Sequence, residues 1–261
     1  MDFFVIFRET AVLKQMPLQP PARGIGETRS EGADIERLEL VVDRKASVAD
    51  QVYATLREAI VDLRLAPGAS ISENSICRQF AVSGTPVRAA IQRLSEEGLV
   101  DVFPHLGSFV SPFRLESLRD SQFVRRSLEV ALLREVAPQW TQAMSQRMRE
   151  VIREQERLAA EDDPKGFLLA DEAFHKFFAV FAGRESVWPA VLAAKIPLTR
   201  FHRYCAMPDR LRHVIEEHLA VIDALDRGDL TAAEHALVTH LDMIFVTFGA
   251  LPQEERRHLT R

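Results

Sequence analysis

Between Ser47 and Pro112 the apolar residues change period in a fixed order, and that order limits the possible folds more than any other feature of the chain. Val48, Val52, Leu56, Ile60 and Leu63 recur at helical spacing and form one stripe, which Pro67-Gly68 stops. Ser72 supplies an N-cap for a short helix through Phe80, with Ile76 and Phe80 one turn apart on one face. A tight turn follows at Ala81-Val82-Ser83-Gly84. Thr85 then puts a capping hydroxyl before Pro86 at the first helical position, and Val87, Ala90, Ile91 and Leu94 make the inner face of a helix that ends at Gly98. Two short apolar runs, Leu99 to Phe103 and Phe109-Val110, flank Pro104-His105-Leu106-Gly107 and read as a small β-hairpin.

Helix, helix, turn, helix, hairpin is the order of a winged helix-turn-helix. Beyond Ser111-Pro112 no strand pattern interrupts a long helical stretch, whose breaks fall at Pro138, Asp162-Asp163-Pro164, Gly183, Pro197, Pro208 and Gly228-Asp229. These breaks delimit six or seven helices with short connections, as in an antiparallel bundle. The expected fold is therefore mainly α: an N-terminal winged helix-turn-helix with a small β-hairpin wing, then a C-terminal antiparallel bundle of six or seven helices. Residues 1–46, broken by Pro17, Pro20, Pro21, Gly24, Gly26 and Gly32, are expected to be a flexible extension. A DNA-binding domain over 47–113, an all-helical domain over 114–251 and a tail over 252–261 complete the expected organisation.

Composition narrows the class. With 261 residues, 47% hydrophobic, 27% charged and a net charge of −5, the chain is neither disordered, collagenous nor a disulfide scaffold. Its two cysteines, Cys77 and Cys205, sit in no paired spacing and read as free thiols of a reducing cytoplasm. Apolar runs such as 177–182 fall far short of the roughly 18 residues that span a bilayer, so no membrane partner is expected. Residues 47–113 hold five basic and seven acidic side chains, so DNA affinity would have to rest on placed rather than bulk charge.

In a helix-turn-helix the second helix enters the major groove, its N-terminal residues meeting the base edges. With Val87, Ala90, Ile91 and Leu94 turned inward, Arg88, Gln92 and Arg93 face outward and can reach bases or phosphates. Ser83 and Thr85 can donate hydroxyls to phosphate at the helix start. The alternative for Arg88, Gln92 and Arg93 is a solvated face. What favours DNA is resemblance: Pro67-Gly68, Val82-Ser83-Gly84-Thr85-Pro86-Val87-Arg88, Arg93-Leu94, Glu97-Gly98-Leu99-Val100 and Gly107 resemble the winged-helix signature of GntR-family transcription regulators. The resemblance matches Arg88 to a recognition arginine and Gly107 to the wing-tip glycine, with His105 near that tip and in reach of the minor groove. Two positions depart from it. Gly84 stands where the family has arginine and Ala89 where it has glutamate, so the common family half-site does not carry over.

In the helical region, Asp171 and His175 are four apart and share one helix face. His218 and His240 lie 11 residues on either side of position 229, which sets the two imidazoles at matching heights on antiparallel neighbours. One Asp and three His converging in a bundle would suit a divalent transition metal of the Zn, Ni or Mn kind. Each of the four, taken singly, also reads as a surface or hydrogen-bonded residue, and His202, His213, His235 and His258 are bystanders of that sort. Asp171, His175, His218 and His240 resemble, one by one, the metal-holding positions of the FCD ligand-binding domain found in the FadR subfamily of GntR regulators. That subfamily also has an arginine four residues before a glutamate, matching Arg125 and Glu129; an inward Arg125 would bind a carboxylate effector, while the alternative is an i,i+4 salt bridge.

The resemblance implies a homodimeric transcription regulator, a repressor, that binds operator DNA, a divalent metal and a small organic-acid effector. A metal-dependent hydrolase is the rival, although no general base is identifiable, since Glu172 points about 100° away from Asp171 around the helix. In a third reading the metal itself is the signal.

Overall fold

The computed structural model describes residues 35–43, 45–205, 210–254 and 256. The expected break at Pro208 and all but eleven residues of the expected extension lie outside them. The chain divides into two compact units, residues 1–53 with 68–110 and residues 54–67 with 111–261. Helix α1 (Val48–Val61) belongs in part to each.

In the first unit, α2 (Glu73–Phe80) and α3 (Gly84–Glu96) form the helix pair. Ser72 caps α2, its hydroxyl accepting from the Ser75 amide at 3.2 Å. Ala81 then adopts a left-handed conformation (φ 51°) that turns the chain towards α3. That helix buries Val87, Ala90, Ile91 and Leu94, the inner face read from the sequence. It starts two residues earlier than expected: Ser83 rather than Thr85 is the N-cap, and its side chain makes no capping hydrogen bond. Pro86 can sit within the first turn because the amides there have no intrahelical partner to lose.

The expected hairpin is present as β2 (Val100–Phe103) and β3 (Gly107–Val110), with Phe103 opposite Gly107. A third strand, β1 (Ser70–Ile71), was not legible in the sequence and pairs antiparallel on the other side of β3, giving the order β1-β3-β2. A second departure concerns the extension. Ile35–Arg37 form a 3-10 turn packed on α2, Ile35 and Leu38 are buried, and Gln79 Nε2 donates to the Leu38 carbonyl at 2.8 Å. Two apolar side chains placed three residues apart explain why this short piece is docked.

Among its described residues from 111 onward the second unit is a bundle of six α-helices: α4 (Leu115–Val136), α5 (Gln142–Ala160), α6 (Pro164–Phe181), α7 (Trp188–Cys205), α8 (Arg210–Asp226) and α9 (Leu230–Ala250). Its main core joins Leu132, Leu133 and Val136 of α4 to Phe174 and Phe178 of α6, Val221 and Ile222 of α8, and Leu237 and Leu241 of α9. The count is six rather than seven because Pro197 does not break α7. A proline inside a helix removes one backbone bond and crowds the carbonyl four residues back. Here Val191, Leu198 and Phe201 on the same helix are buried and hold it together, while Ala193, whose carbonyl loses its donor, is exposed to water.

Helices α8 and α9 pack together and meet at Gly228-Asp229, where Gly228 is left-handed (φ 70°) and Asp229 caps α9 by accepting from the Ala232 amide at 2.9 Å. Replacing a capping Asp with Ala removes an acceptor from amides that have no helical partner. Asp229→Ala should therefore lower stability by about 1 kcal/mol, read as a lower urea midpoint with an unchanged slope; an unchanged midpoint would show that the cap contributes nothing.

Candidate metal centre and DNA-reading helix

Four sequence-predicted side chains converge inside the bundle. Asp171 and His175 come from α6, His218 from α8 and His240 from α9, and one ligand atom from each lies within 4.8 Å of all the others. The three imidazoles are buried and Asp171 is nearly so. The i,i+4 spacing accounts for the first pair, and the turn at Gly228-Asp229 brings His218 and His240 level, with their Nε2 atoms 3.3 Å apart.

The orientation of each ring is set by a neighbour on its outer nitrogen. His175 Nδ1 lies 2.6 Å from Glu129 Oε2, His240 Nδ1 2.7 Å from Glu217 Oε2, and His218 Nδ1 3.1 Å from Gln155 Oε1. Each neighbour is an oxygen, so the tautomer with its proton on Nδ1 suits each ring and turns a bare Nε2 lone pair inward. Phe174 stacks on His218 at 3.8 Å between ring centres and fixes that ring further. The result is three lone pairs facing one another: His240 Nε2 is 3.2 Å from His175 Nε2 and 3.3 Å from His218 Nε2, with Asp171 Oδ1 3.7 to 3.8 Å from the latter two.

That donor set fits a divalent transition metal. An ion bonded to imidazole nitrogen at about 2.0–2.1 Å holds neighbouring donors roughly 3.0–3.4 Å apart, which matches the nitrogen separations here. Three imidazoles and one carboxylate are ligands of the zinc, nickel or manganese kind.

Cations also border the centre. Arg125 is buried on α4; its Nε donates to Glu129 Oε1 at 2.6 Å, and its Nη2 lies 3.1 Å from His175 Nε2. Arg125 thus makes the i,i+4 salt bridge to Glu129 through its Nε, while its Nη2 faces the centre. Lys195 of α7 donates to Asp171 Oδ2 at 3.0 Å, and Arg210 grips Glu217 through two bonds of 2.7 and 2.6 Å. Sequence reading missed Lys195, Arg210, Gln155 and Glu217, and assigned His202 to the bystanders. His202 is exposed and feels the charges of Arg125, Asp171, Lys195 and Arg210.

Protonation follows the burial. Desolvation pushes the His175 imidazole down to about 4 and His202 to about 3, the nearby Arg125 charge acting in the same direction on both. His218 is held well below the usual range, mainly by burial and then by the other imidazoles. Burial pushes the carboxyls of Glu129 and Asp171 up, but Arg125 with His175 outweighs it for Glu129, and Lys195 with the imidazoles for Asp171, leaving both low.

On the DNA side, Ser83, Thr85, Arg88, Gln92 and Arg93 are all exposed. Arg88 reaches back over the helix start, its Nε 3.4 Å from the Gly84 carbonyl and 3.6 Å from Glu73 Oε2. A Cβ at position 84 would stand 2.9 Å from Arg88 Nη2, so Gly84 is what lets the guanidinium lie there. Gln92 Nε2 donates to Glu96 at 3.1 Å. Arg93 departs from the expected free reader: it pairs with Asp50 and lies over the Tyr53 ring at 3.9 Å, so part of its donor capacity is already used. His105 is exposed in a left-handed conformation (φ 65°) at the hairpin turn, and Gly107 follows at φ 113°, a region in which side chains other than glycine are strained.

Together the folds and the two sites define a class, a winged-helix DNA-binding protein with a second, helical-bundle domain. Residues 48–110 match the family model "Bacterial regulatory proteins, gntR family", and residues 120–243 match "FCD domain". An uncharacterised HTH-type transcriptional regulator in an unstable DNA locus of Streptomyces ambofaciens is 36% identical over 74% of this chain and 82% of its own length. The HTH-type transcriptional repressor RspR of Escherichia coli is 28% identical over 79% of this chain and 91% of its own. A GntR transcriptional regulator from Rhodococcus sp. RHA1 superposes with a TM-score of 0.64 at 27% identity, covering 79% of this chain and all of that one. The chain belongs to the GntR family of bacterial transcription regulators and carries an FCD domain. The family and these relatives are regulators and not enzymes, which removes the hydrolase reading. Among the described residues no helix is long and apolar enough to cross a membrane.

The low imidazole values have a consequence for the metal-free protein. An unfolded histidine takes up its proton near 6.5, whereas His175 does so only near 4 and His202 near 3. Between those limits the unfolded chain binds more protons, so stability should fall as pH drops from about 6.5 towards 4. Urea midpoints at pH 7.5, 6 and 5 test this; a midpoint that stays level would contradict the burial of neutral imidazoles.

Proposed function

We propose that this regulator is a cytoplasmic homodimer of the FadR subfamily and a repressor. In this reading Asp171, His175, His218 and His240 hold a divalent transition metal of the Zn, Ni or Mn kind, and Arg125 helps bind a small organic acid there. Acid binding and operator binding are coupled reciprocally, typically by about 1–3 kcal/mol in such systems. The observation that carries the reading is the set of three Nδ1 acceptors, Glu129, Gln155 and Glu217, which aim three unprotonated Nε2 atoms at one buried point. Lone pairs so arranged repel one another, and a cation among them turns that repulsion into coordination. When bound, the metal supplies Lewis-acid coordination for a carboxylate oxygen. Arg125 supplies a guanidinium whose Nη2 already faces the same point.

Ser83, Thr85, Arg88, Gln92 and Arg93 on α3, with His105 and Gly107 at the wing, form the DNA-reading set. Arg88 is the base-edge reader, while the Asp50 and Tyr53 contacts of Arg93 favour a positioning role on phosphate. Dimerisation is supported by the slightly acidic balance of residues 47–113, which leaves one head with little bulk attraction to DNA, and by the two-fold operators that helix-turn-helix dimers read. The repressor reading is supported by the name of the Escherichia coli relative.

Asp171→Ala and His218→Ala should each lower the metal content of purified protein, measured by elemental mass analysis, while operator binding persists; unchanged stoichiometry would overturn the ligand assignment. Arg88→Ala should cost about 1–3 kcal/mol of affinity in gel shifts with promoter fragments from the gene's own neighbourhood. Undiminished binding would return Arg88 to the solvated face.

A further inference from the structure

The charges around the centre form closed pairs. Glu129 is matched by Arg125 at 2.6 Å, Asp171 by Lys195 at 3.0 Å and Glu217 by Arg210 at 2.6 Å. Among the described residues, every carboxylate of this shell already has its own cation, and the three imidazoles, fixed as lone-pair donors, add no charge. A divalent ion on the four ligands would therefore bring two positive charges that the protein does not answer. Uncompensated charge away from water is costly, and Arg125, His175, His218 and Lys195 are all buried. The missing negative charge is supplied by an anion bound beside the ion, where Arg125 Nη2 faces His175 Nε2 and Lys195 holds Asp171.

We infer that the acid recognised by this centre is a dianion, a small dicarboxylate, and that Lys195 is the residue that sets its charge. The inference rests on the metal-and-acid reading above and goes beyond it by naming the ligand class. If Lys195 were neutral, Asp171 would be left to offset one charge of the ion, and a single carboxylate would then balance the site. Lys195 thus acts as a specificity determinant rather than a metal ligand. It contacts the Asp171 oxygen on the far side from the imidazoles, Oδ2, while Oδ1 faces His175 and His218.

The test uses the full-length protein, stripped of metal and equilibrated with zinc at a buffered free concentration, with bound zinc and thermal midpoint both recorded. Malonate and succinate are compared with their monoamides, malonamate and succinamate, which keep the length and remove one charge. The expected result is that at least one dicarboxylate tightens zinc binding tenfold or more beyond its own monoamide. In Lys195→Met, zinc should bind more tightly without acid, and the advantage of diacid over monoamide should shrink to threefold or less. If zinc binds stoichiometrically but both diacids and their monoamides act within threefold of each other on the unaltered protein, the dianion inference is overturned and the metal centre stands. If no zinc is retained with any acid, the metal centre itself fails and the inference falls with it. Should Lys195→Met fold poorly, the comparison on the unaltered protein decides alone.

Discussion

The bundle's chemistry depends on one arrangement, three imidazoles whose outer nitrogens are committed to acceptors so that their inner nitrogens are bare. A buried imidazole left to itself chooses its tautomer by whichever partner it finds. Here Glu129, Gln155 and Glu217 make that choice, from α4, α5 and α8 respectively. Fixing three such partners requires five helices to keep their heights and rotations, since His175, His218 and His240 sit on α6, α8 and α9. The core around Phe174, Phe178, Val221, Leu237 and Leu241 supplies that rigidity. Packing therefore serves the site directly: a helix that slid by a residue would separate a nitrogen from its acceptor and release the ring.

The reading head solves a different electrostatic problem. With more acidic than basic residues over 47–113, it gains no general attraction to phosphate, and its cations must be held in chosen positions. Arg93 is held by Asp50 and Tyr53. Arg88 is drawn over the start of α3, into space that the absent side chain of Gly84 leaves open.

Much of this was legible in the sequence where the signal is local or symmetric. The inner face of α3, the Ser72 cap, the Asp171 and His175 pair and the equal spacing of His218 and His240 about position 229 all follow from helical period or turn position. The partners that orient the rings were not legible, because Gln155 lies 63 residues from His218 and nothing in its local context distinguishes it from a surface glutamine. Glu217 next to His218 serves His240 instead, a choice that only the packing of α8 on α9 makes. Strand β1 has two residues, too few for a period. Pro197 misled because a local rule for helix ending was overridden by the buried apolar residues on either side of it.

The same shell explains why such a centre can act as a sensor rather than a fixed structural site. Arg125 Nη2 faces His175 Nε2 and Lys195 Nζ donates to one oxygen of Asp171, so two cations already compete for groups that an ion would use. A metal site without such competitors would fill regardless of the acid. With them, on the metal-and-acid reading, each of the two becomes a condition for the other, because the anion offsets the charge that the protein's own cations leave unbalanced. Mutual dependence of that kind is a coupling free energy, and it is reciprocal by thermodynamic necessity. On the reading proposed above, a regulator gains from this, because the acid is reported only when the metal is present to bind it.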